Sequence, residues 1–431
     1  MASELAPADE DLLAQFQRGA FDYFVECYNP DNGLVADTSR PGAPCSIAVV
    51  GFALSCYPIG VERGWMTRAE AASRTLLTLR FFAHSLQSDE PDATGHQGFY
   101  YHFLDMGTGR RVWQSELSLI DTTLLLAGVL AAGVYFAGDT PQEAEIRDHA
   151  DLIYRRVDWA WALGDQATVR QGWKPESGFL HYGWDGYDEA TILYVMGLGS
   201  PTHPLPLGSF ANWTATYQWE DIYDLEFLYA GPLFIHQFSH AWIDFSGIRD
   251  DFMRQKNSDY FESSQRAVAV QREYAQRNPY DYVGYGQDCW GLSACEGPGY
   301  QTVIHDGRYR RFFGYAARGA PFGPDDGTIS PCAALASLPF APQIAVAALR
   351  HYCEHYPEMI KDFRLPGGFN PTMPGEGPAG WVSDGCYGLD QGLVVMMIEN
   401  YRSGMVWNLM RQCPYIVDGL RRAGFAGGWL S

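Results

Sequence analysis

The chain has 431 residues, 47% hydrophobic and 19% charged, the proportions of a well-buried globular protein rather than a disordered one. Its 51 Asp and Glu against 30 Lys and Arg leave a formal net charge of −21. A surface this acidic repels phosphate backbones and anionic lipid, which argues against nucleic acid, membranes and polyanionic glycans and favours a neutral substrate, without excluding a metal.

The start, MASELAPADEDLLAQF, is acidic and lacks the basic opening and apolar core of a secretory signal. It is expected to be cytoplasmic, or periplasmic if a signal has been removed. Over 10–28, Leu13, Phe16, Ala20, Phe24 and Cys27 recur at three- and four-residue spacing and predict a helix. Thr67-Arg68-Ala69-Glu70 reads as a capping box that opens a helix running to about 86. The apolar stretch 117–137 has the length of a membrane span, but Asp121, Thr122, Thr123 and its acidic flanks predict a buried helix instead, over 116–135. Further helices are expected over 141–162, 188–196, 251–276, 339–355 and 389–406. Pro141 and Pro339 stand at starts, where a missing N–H costs little.

Long loops rich in Gly, Pro and aromatics separate these segments, over 164–187, 197–212, 280–322 and 365–388. No fixed repeat and no Ser- or Pro-rich interior linker divides the chain, so 1–431 is expected to be one unit. Ten or more helices joined by polar loops predict a mostly α chain of the α/α-toroid kind, its cleft built by loops at one end. Two packed helical subdomains are the other arrangement. The nine cysteines are widely spaced without a CxxC pair, which predicts free thiols rather than a zinc site or a disulfide scaffold.

Three clusters set carboxylates among aromatics. In 113–122, Asp121 interrupts an apolar run, where an unpaired carboxylate is costly and needs partners or a proton. Glu116 lies five residues earlier, off that face. In 172–190, Trp173, His181, Trp184 and Tyr187 precede a helix start, and Asp185 and Glu189 are four apart. Asp188 reads as an N-cap. Glu189 leads into the apolar run 190–196, a setting that disfavours its ionised form and suits a general acid. In 383–392, Asp390 follows Tyr387 and precedes the apolar run 393–398; capping and catalysis or sugar binding are both open to it. Asp288, Glu296, Asp325 and Asp326 are loop carboxylates that no spacing selects.

The 13 Trp, 26 Tyr and 24 Phe often adjoin Gly, Asp or Asn, and flat rings suit the C–H faces of sugars, although most single rings belong to the core. His236 and His240 are four apart and could face a metal, but Gln237 stands where an HExxH pattern needs Glu. Hydrogen bonding to a sugar or a core partner suits His240 better. No GxSxG elbow, GxGxxG loop or Walker loop is present.

The run GWDGYDEATILYVMGLGSPTHPLP over 183–206 resembles the bacterial glucoamylase-like family, which holds the endo-β-1,2-glucanases and sophorose-releasing enzymes of glycoside hydrolase family 144. The likeness continues through Ala230-Gly231-Pro232-Leu233-Phe234, His240-Ala241-Trp242-Ile243-Asp244 and Trp290-Gly291-Leu292-Ser293-Ala294. Asp325-Asp326-Gly327-Thr328-Ile329, Tyr387-Gly388-Leu389-Asp390-Gln391-Gly392 and Ile398-Glu399-Asn400-Tyr401-Arg402 extend it. The resemblance implies an all-α, single (α/α)6 barrel that hydrolyses neutral β-1,2-glucan with inversion and without a metal or organic cofactor, expected here as a monomer. It makes Glu189 the acid and leaves the base between Asp121, the first choice, and Asp390. The sugar is expected to meet Glu116, His181, Asp185, His203 and His240 as polar contacts. Trp173, Trp184, Tyr187, Trp290 and Tyr387 are the expected ring faces. Two features depart from the family: Glu296 stands where many relatives carry Asp, and a missing signal is atypical of a periplasmic glycan enzyme. A non-catalytic glycan binder would keep the aromatics. An α/α-toroid polysaccharide lyase would need a Tyr/His pair and a basic cleft, which the charge disfavours.

Overall fold

The computed structural model describes residues 5–305 and 307–431. Its helices are α1 (Pro7–Glu26), α2 (Ile47–Glu62), α3 (Arg68–His84), α4 (Leu119–Tyr135), α5 (Pro141–Arg155), α6 (Thr191–Gly199), α7 (Ser209–Thr214) and α8 (Phe238–Trp242). There follow α9 (Asp251–Lys256), α10 (Tyr260–Arg277), α11 (Pro331–Ala336), α12 (Pro342–His355), α13 (Gly388–Ser403), α14 (Met405–Met410) and α15 (Pro414–Arg422).

Burial sorts them into two kinds. α2, α4, α6, α8, α11 and α13 are covered along most of their length, as helices apolar nearly all round must be. α1, α3, α5, α10 and α12 bury one stripe and expose the other. The kinds alternate along the chain except between α6 and α8, which only the short α7 separates, giving the inner and outer helices of an α/α toroid. α2 and α4 approach most closely where Gly51 faces Gly128: a Cβ on either residue would run into the other helix's backbone. α14 packs against α4, α8 and α13, and α15 against α6. The main core gathers residues from Leu5 to Leu430.

Several helix limits differ from the sequence expectation, for local reasons. The segment 251–276 is two helices: Asn257 turns left-handed at φ 50°, ending α9, and Asp259 caps α10 by accepting the Glu262 N–H. The helix expected from Pro339 begins at Pro342, and the one over 141–162 stops at Arg155. Thr67 caps α3 through the Glu70 N–H at 3.2 Å, but the Glu70 carboxylate turns to Arg74 instead of closing the box. α2 did not show as a helix in the sequence: it carries Pro58 in its interior and, being apolar all round, has no amphipathic period.

The strands are short. An antiparallel sheet joins Gly95–His96, Phe99–Tyr101, Leu117–Ser118, Gly172–Lys174 and Gly178–Phe179 in that order. Cys45–Ser46 pairs with Phe103–Leu104; α2 leaves directly from Cys45–Ser46 and α4 from Leu117–Ser118. All nine cysteines are free thiols, and no helix among the described residues is long and apolar enough to cross a membrane.

Candidate active site

A cavity of about 380 Å³ opens where the inner helices begin. Its wall takes Ile120 and Asp121 from the first turn of α4, Glu189 just ahead of α6, Gln237 and Phe238 from the start of α8, and Leu389 and Asp390 from the first turn of α13. First-turn N–H groups lack intrahelical partners and carry partial positive charge. The acids therefore stand where the backbone supports negative charge. The sheet adds Ser118, and the residues flanking its strands add His102, Glu116 and Gln171.

Asp121 is held from two sides. Ser118, the N-cap of α4, accepts the Asp121 N–H at 3.1 Å and donates its hydroxyl to Asp121 Oδ2 at 2.5 Å. His102 lies between two acids, with Nδ1 2.8 Å from Glu116 Oε1 and Nε2 3.5 Å from Asp121 Oδ2. Burial pulls the imidazole toward neutrality, but the Asp121 charge, the Glu116 bond and Asp37 outweigh it and raise its pKa to about 9. At neutral pH His102 is a cation. Burial opposes ionisation of Glu116 too, yet the bond and charge of His102, with Lys174, bring its pKa below the usual carboxylate value. Donor atoms of His102, Glu116 and Asp121 lie within 4.8 Å of one another, close enough to hold a cation. Each ring nitrogen faces a different carboxylate, so an imidazole bridge also accounts for the closeness.

Glu189 sits on a fixed backbone: Ser239 donates its hydroxyl to the Glu189 carbonyl at 3.0 Å and accepts the Ile192 N–H at 3.1 Å. Burial, partly offset by its own backbone N–H and reinforced by Asp121, pushes the carboxyl up to about 7. Asp188 beside it is not the N-cap of α6, which is Ala190 without a side-chain cap; it accepts the Ala190 N–H at 2.9 Å in a turn ahead of the helix, and burial and Glu189 raise its pKa well above the ordinary value. Burial, then Asp37, raises Asp390 to about 8. Asp37 itself is raised to about 6 by burial, against the pull of His102 and Arg40. Such a set can deliver a proton from one acid and accept one at another.

At the rim, Arg40 binds Glu296 at 2.5 Å, reaches Asp384 and donates to the Tyr387 hydroxyl at 3.3 Å. Ser383 donates to the same Glu296 carboxylate at 2.6 Å. The departure at Glu296 is thus absorbed by an ion-paired clasp between three loops. Of the other loop acids, Asp326 is paired with Arg318, both fully buried, and Asp325 accepts from Tyr274 and Tyr285.

Six of the expected catalytic and sugar-contacting residues share the cavity wall, Glu116, Asp121, Trp184, Glu189, Tyr387 and Asp390, and the loop acid Glu296 joins them. The others lie elsewhere. Trp173 is stacked on His96 at 4.7 Å, and Tyr187 packs behind the wall on Tyr217 and His236. His181, Asp185 and His203 are exposed, outside the lining. Trp290 is 1% exposed in the core. His240 is buried 3.2 Å from Ser264 Oγ, and burial with His236 lowers its pKa to about 3, so it stays neutral. His236 meets the Ala230 carbonyl instead, and the pair four apart does not converge on one point. Asp37, His102 and Gln171 were missed. Asp37 and His102 stand in loop or strand-end segments without periodicity; the aromatic setting of Tyr100-Tyr101-His102-Phe103 marks out His102, and nothing along the chain marks out Asp37.

Residues 181–414 match the family model “Glycoamylase: Putative glucoamylase”. The chain is 28% identical over 450 residues to an exo β-1,2-glucooligosaccharide sophorohydrolase (non-reducing end) of Parabacteroides distasonis, a match covering 96% of this chain and 58% of that protein. The chain thus spans less than two thirds of that relative. A crystal structure from Bacteroides uniformis, under the same glucoamylase description, superposes with a TM-score of 0.87 at 28% identity, over 99% of this chain and 100% of the other. The endo-β-1,2-glucanase of Chitinophaga pinensis, solved with sophorotriose and glucose, superposes with a TM-score of 0.83 at 25% identity, again over 99% and 100%.

Proposed function

Because the chain belongs to the glycoamylase family, we propose that it is a β-1,2-glucan hydrolase that cleaves sophorooligosaccharides in the cavity at the inner helix starts. Its relatives carry that activity in their names, and the cavity is lined by acids, neutral amides and rings suited to an uncharged sugar. One observation supports the chemistry above the rest: Glu189, pushed up to about 7, shares the cavity with Asp121, which contacts a cationic His102.

Glu189 protonates the leaving oxygen, and Asp121 takes a proton from the water that attacks the opposite face of the sugar, with inversion. Gln171, Gln237 and Tyr387 offer uncharged hydrogen-bonding groups to sugar hydroxyls, and Trp184 offers a ring face. Because the acid must be protonated to act, the rate falls as pH rises through about 7.

Incubating the protein with linear β-1,2-glucan and measuring reducing ends tests the reading, with ¹H NMR of the first product reporting the anomer. Glu189→Gln is expected to lose about 10²–10⁴-fold in kcat while still binding oligosaccharide. A variant with ordinary activity, or an unsubstituted chain inert on every β-1,2-linked substrate, would overturn it.

A further inference from the structure

Trp113 is the least economical residue near the cavity. It occupies a four-residue turn closed by the Ser115 N–H on the Val112 carbonyl at 3.0 Å, and both central residues, Trp113 (φ 56°) and Gln114 (φ 51°), are left-handed. Turns of that shape favour Asn, Asp and Gly, and a bulky side chain there is strained. Burial does not compensate, because Trp113 is 71% exposed. Strain that folding does not repay points to use.

The turn is rigidly built. Arg111, itself buried, donates from Nε to the Ser115 carbonyl at 2.6 Å and pairs with Glu176 at 2.7 Å. Val112 N–H meets the Phe103 carbonyl at 3.1 Å. The Trp113 ring leans on Phe103, with centroids 5.2 Å apart, and Phe103 lies flat on His102 at 3.9 Å and 14°. His102 is in the cavity wall, and so is Glu116, three residues and at most about 11 Å of chain beyond Trp113. A row of rings therefore leads from the cavity to an open indole.

We propose that Trp113 is a stacking platform for a glucosyl unit of a long substrate, outside the cavity where the bond is cut. The inference rests on the glucan-hydrolase reading. The indole offers a flat apolar face to the C–H face of a neutral sugar, and the clamped turn presents it already ordered.

Steady-state kinetics on sophorooligosaccharides of graded length test this with Trp113→Ala and Trp113→Gly. Both are expected to raise KM for the longest chains by about three- to tenfold, and to leave kcat and KM for the shortest cleaved chain unchanged. Trp113→Gly, which suits the left-handed backbone, is expected to raise Tm at the same time. Equal KM shifts at all lengths, no shift at any length, a lowered Tm for Trp113→Gly, or an altered oligomeric state would each overturn the platform. In all of those cases hydrolysis continues. An unsubstituted chain that cleaves no β-1,2 bond is the separate failure of the parent reading, and the platform falls with it.

Discussion

Asp121 and Asp390 hold the same place in two buried helices: each is the third residue, in the first turn, of α4 and of α13. Their surroundings differ. α4 is capped by Ser118, whose hydroxyl serves both the Asp121 amide and its carboxylate, and a cationic His102 lies 3.5 Å away. α13 is preceded by Tyr387, which makes no side-chain cap, and Asp390 has no side-chain hydrogen bond among the described residues; burial and Asp37 hold its proton up to about pH 8. Helix position alone does not decide what an acid does. The cap residue and the nearest charge do, and they favour Asp121 as the base.

The largest test of that contrast is catalytic. Asp121→Asn is expected to lower kcat about 10²–10⁴-fold, and Asp390→Asn about tenfold or less, since an acid already protonated at working pH loses little as an amide. Both are read on the same oligosaccharide, with sophorose release as the signal. If Asp390→Asn proves the more damaging, the roles are reversed and Asp390 is the base.

The contrast also shows what the sequence could carry. Buried helices were legible where a polar interruption marked their start, as Asp121 marks α4, and illegible where nothing did, as in α2. Glu189 could be read because an apolar run follows it directly. The His102 bridge could not, because it forms between a strand end at 102 and an N-cap region at 116–121, and no spacing along the chain encodes that meeting. Trp173, Trp290 and His240 mislead for the opposite reason: their residue types suit sugars, but the fold packs them against its own rings and core.

A smaller effect separates the two acids by charge. His102→Gln keeps a hydrogen-bonding group beside Glu116 but removes the positive charge facing Asp121. The acidic limb of the kcat/KM profile is expected to move up, because the imidazolium that holds the Glu116 carboxyl below its usual value is gone. The alkaline limb, set by Glu189 near 7, stays in place. His102 holds its proton to about 9, so its own titration falls outside both limbs. A uniform loss of rate with unmoved limbs would make His102 a packing residue only.

A last effect lies in stability. The Asp390 carboxyl keeps its proton to about 8 in the folded chain, against about 3.9 for an unfolded aspartate. Between those values the folded state binds more protons than the unfolded one, so this residue makes stability fall as pH rises from about 4 to about 8. Asn carries no titrating proton and removes that slope. The Tm of Asp390→Asn should match that of the parent near pH 4 and exceed it increasingly toward pH 8, while Glu189 and Asp37 keep contributing a like slope to both proteins. Asp121, already bonded to Ser118, should show no such gain as Asn, because the amide loses the attraction of the cationic His102. Parallel Tm curves for the parent and Asp390→Asn would mean that cavity water solvates Asp390 as fully as it does an unfolded aspartate, and the two helix starts would then differ by their caps alone.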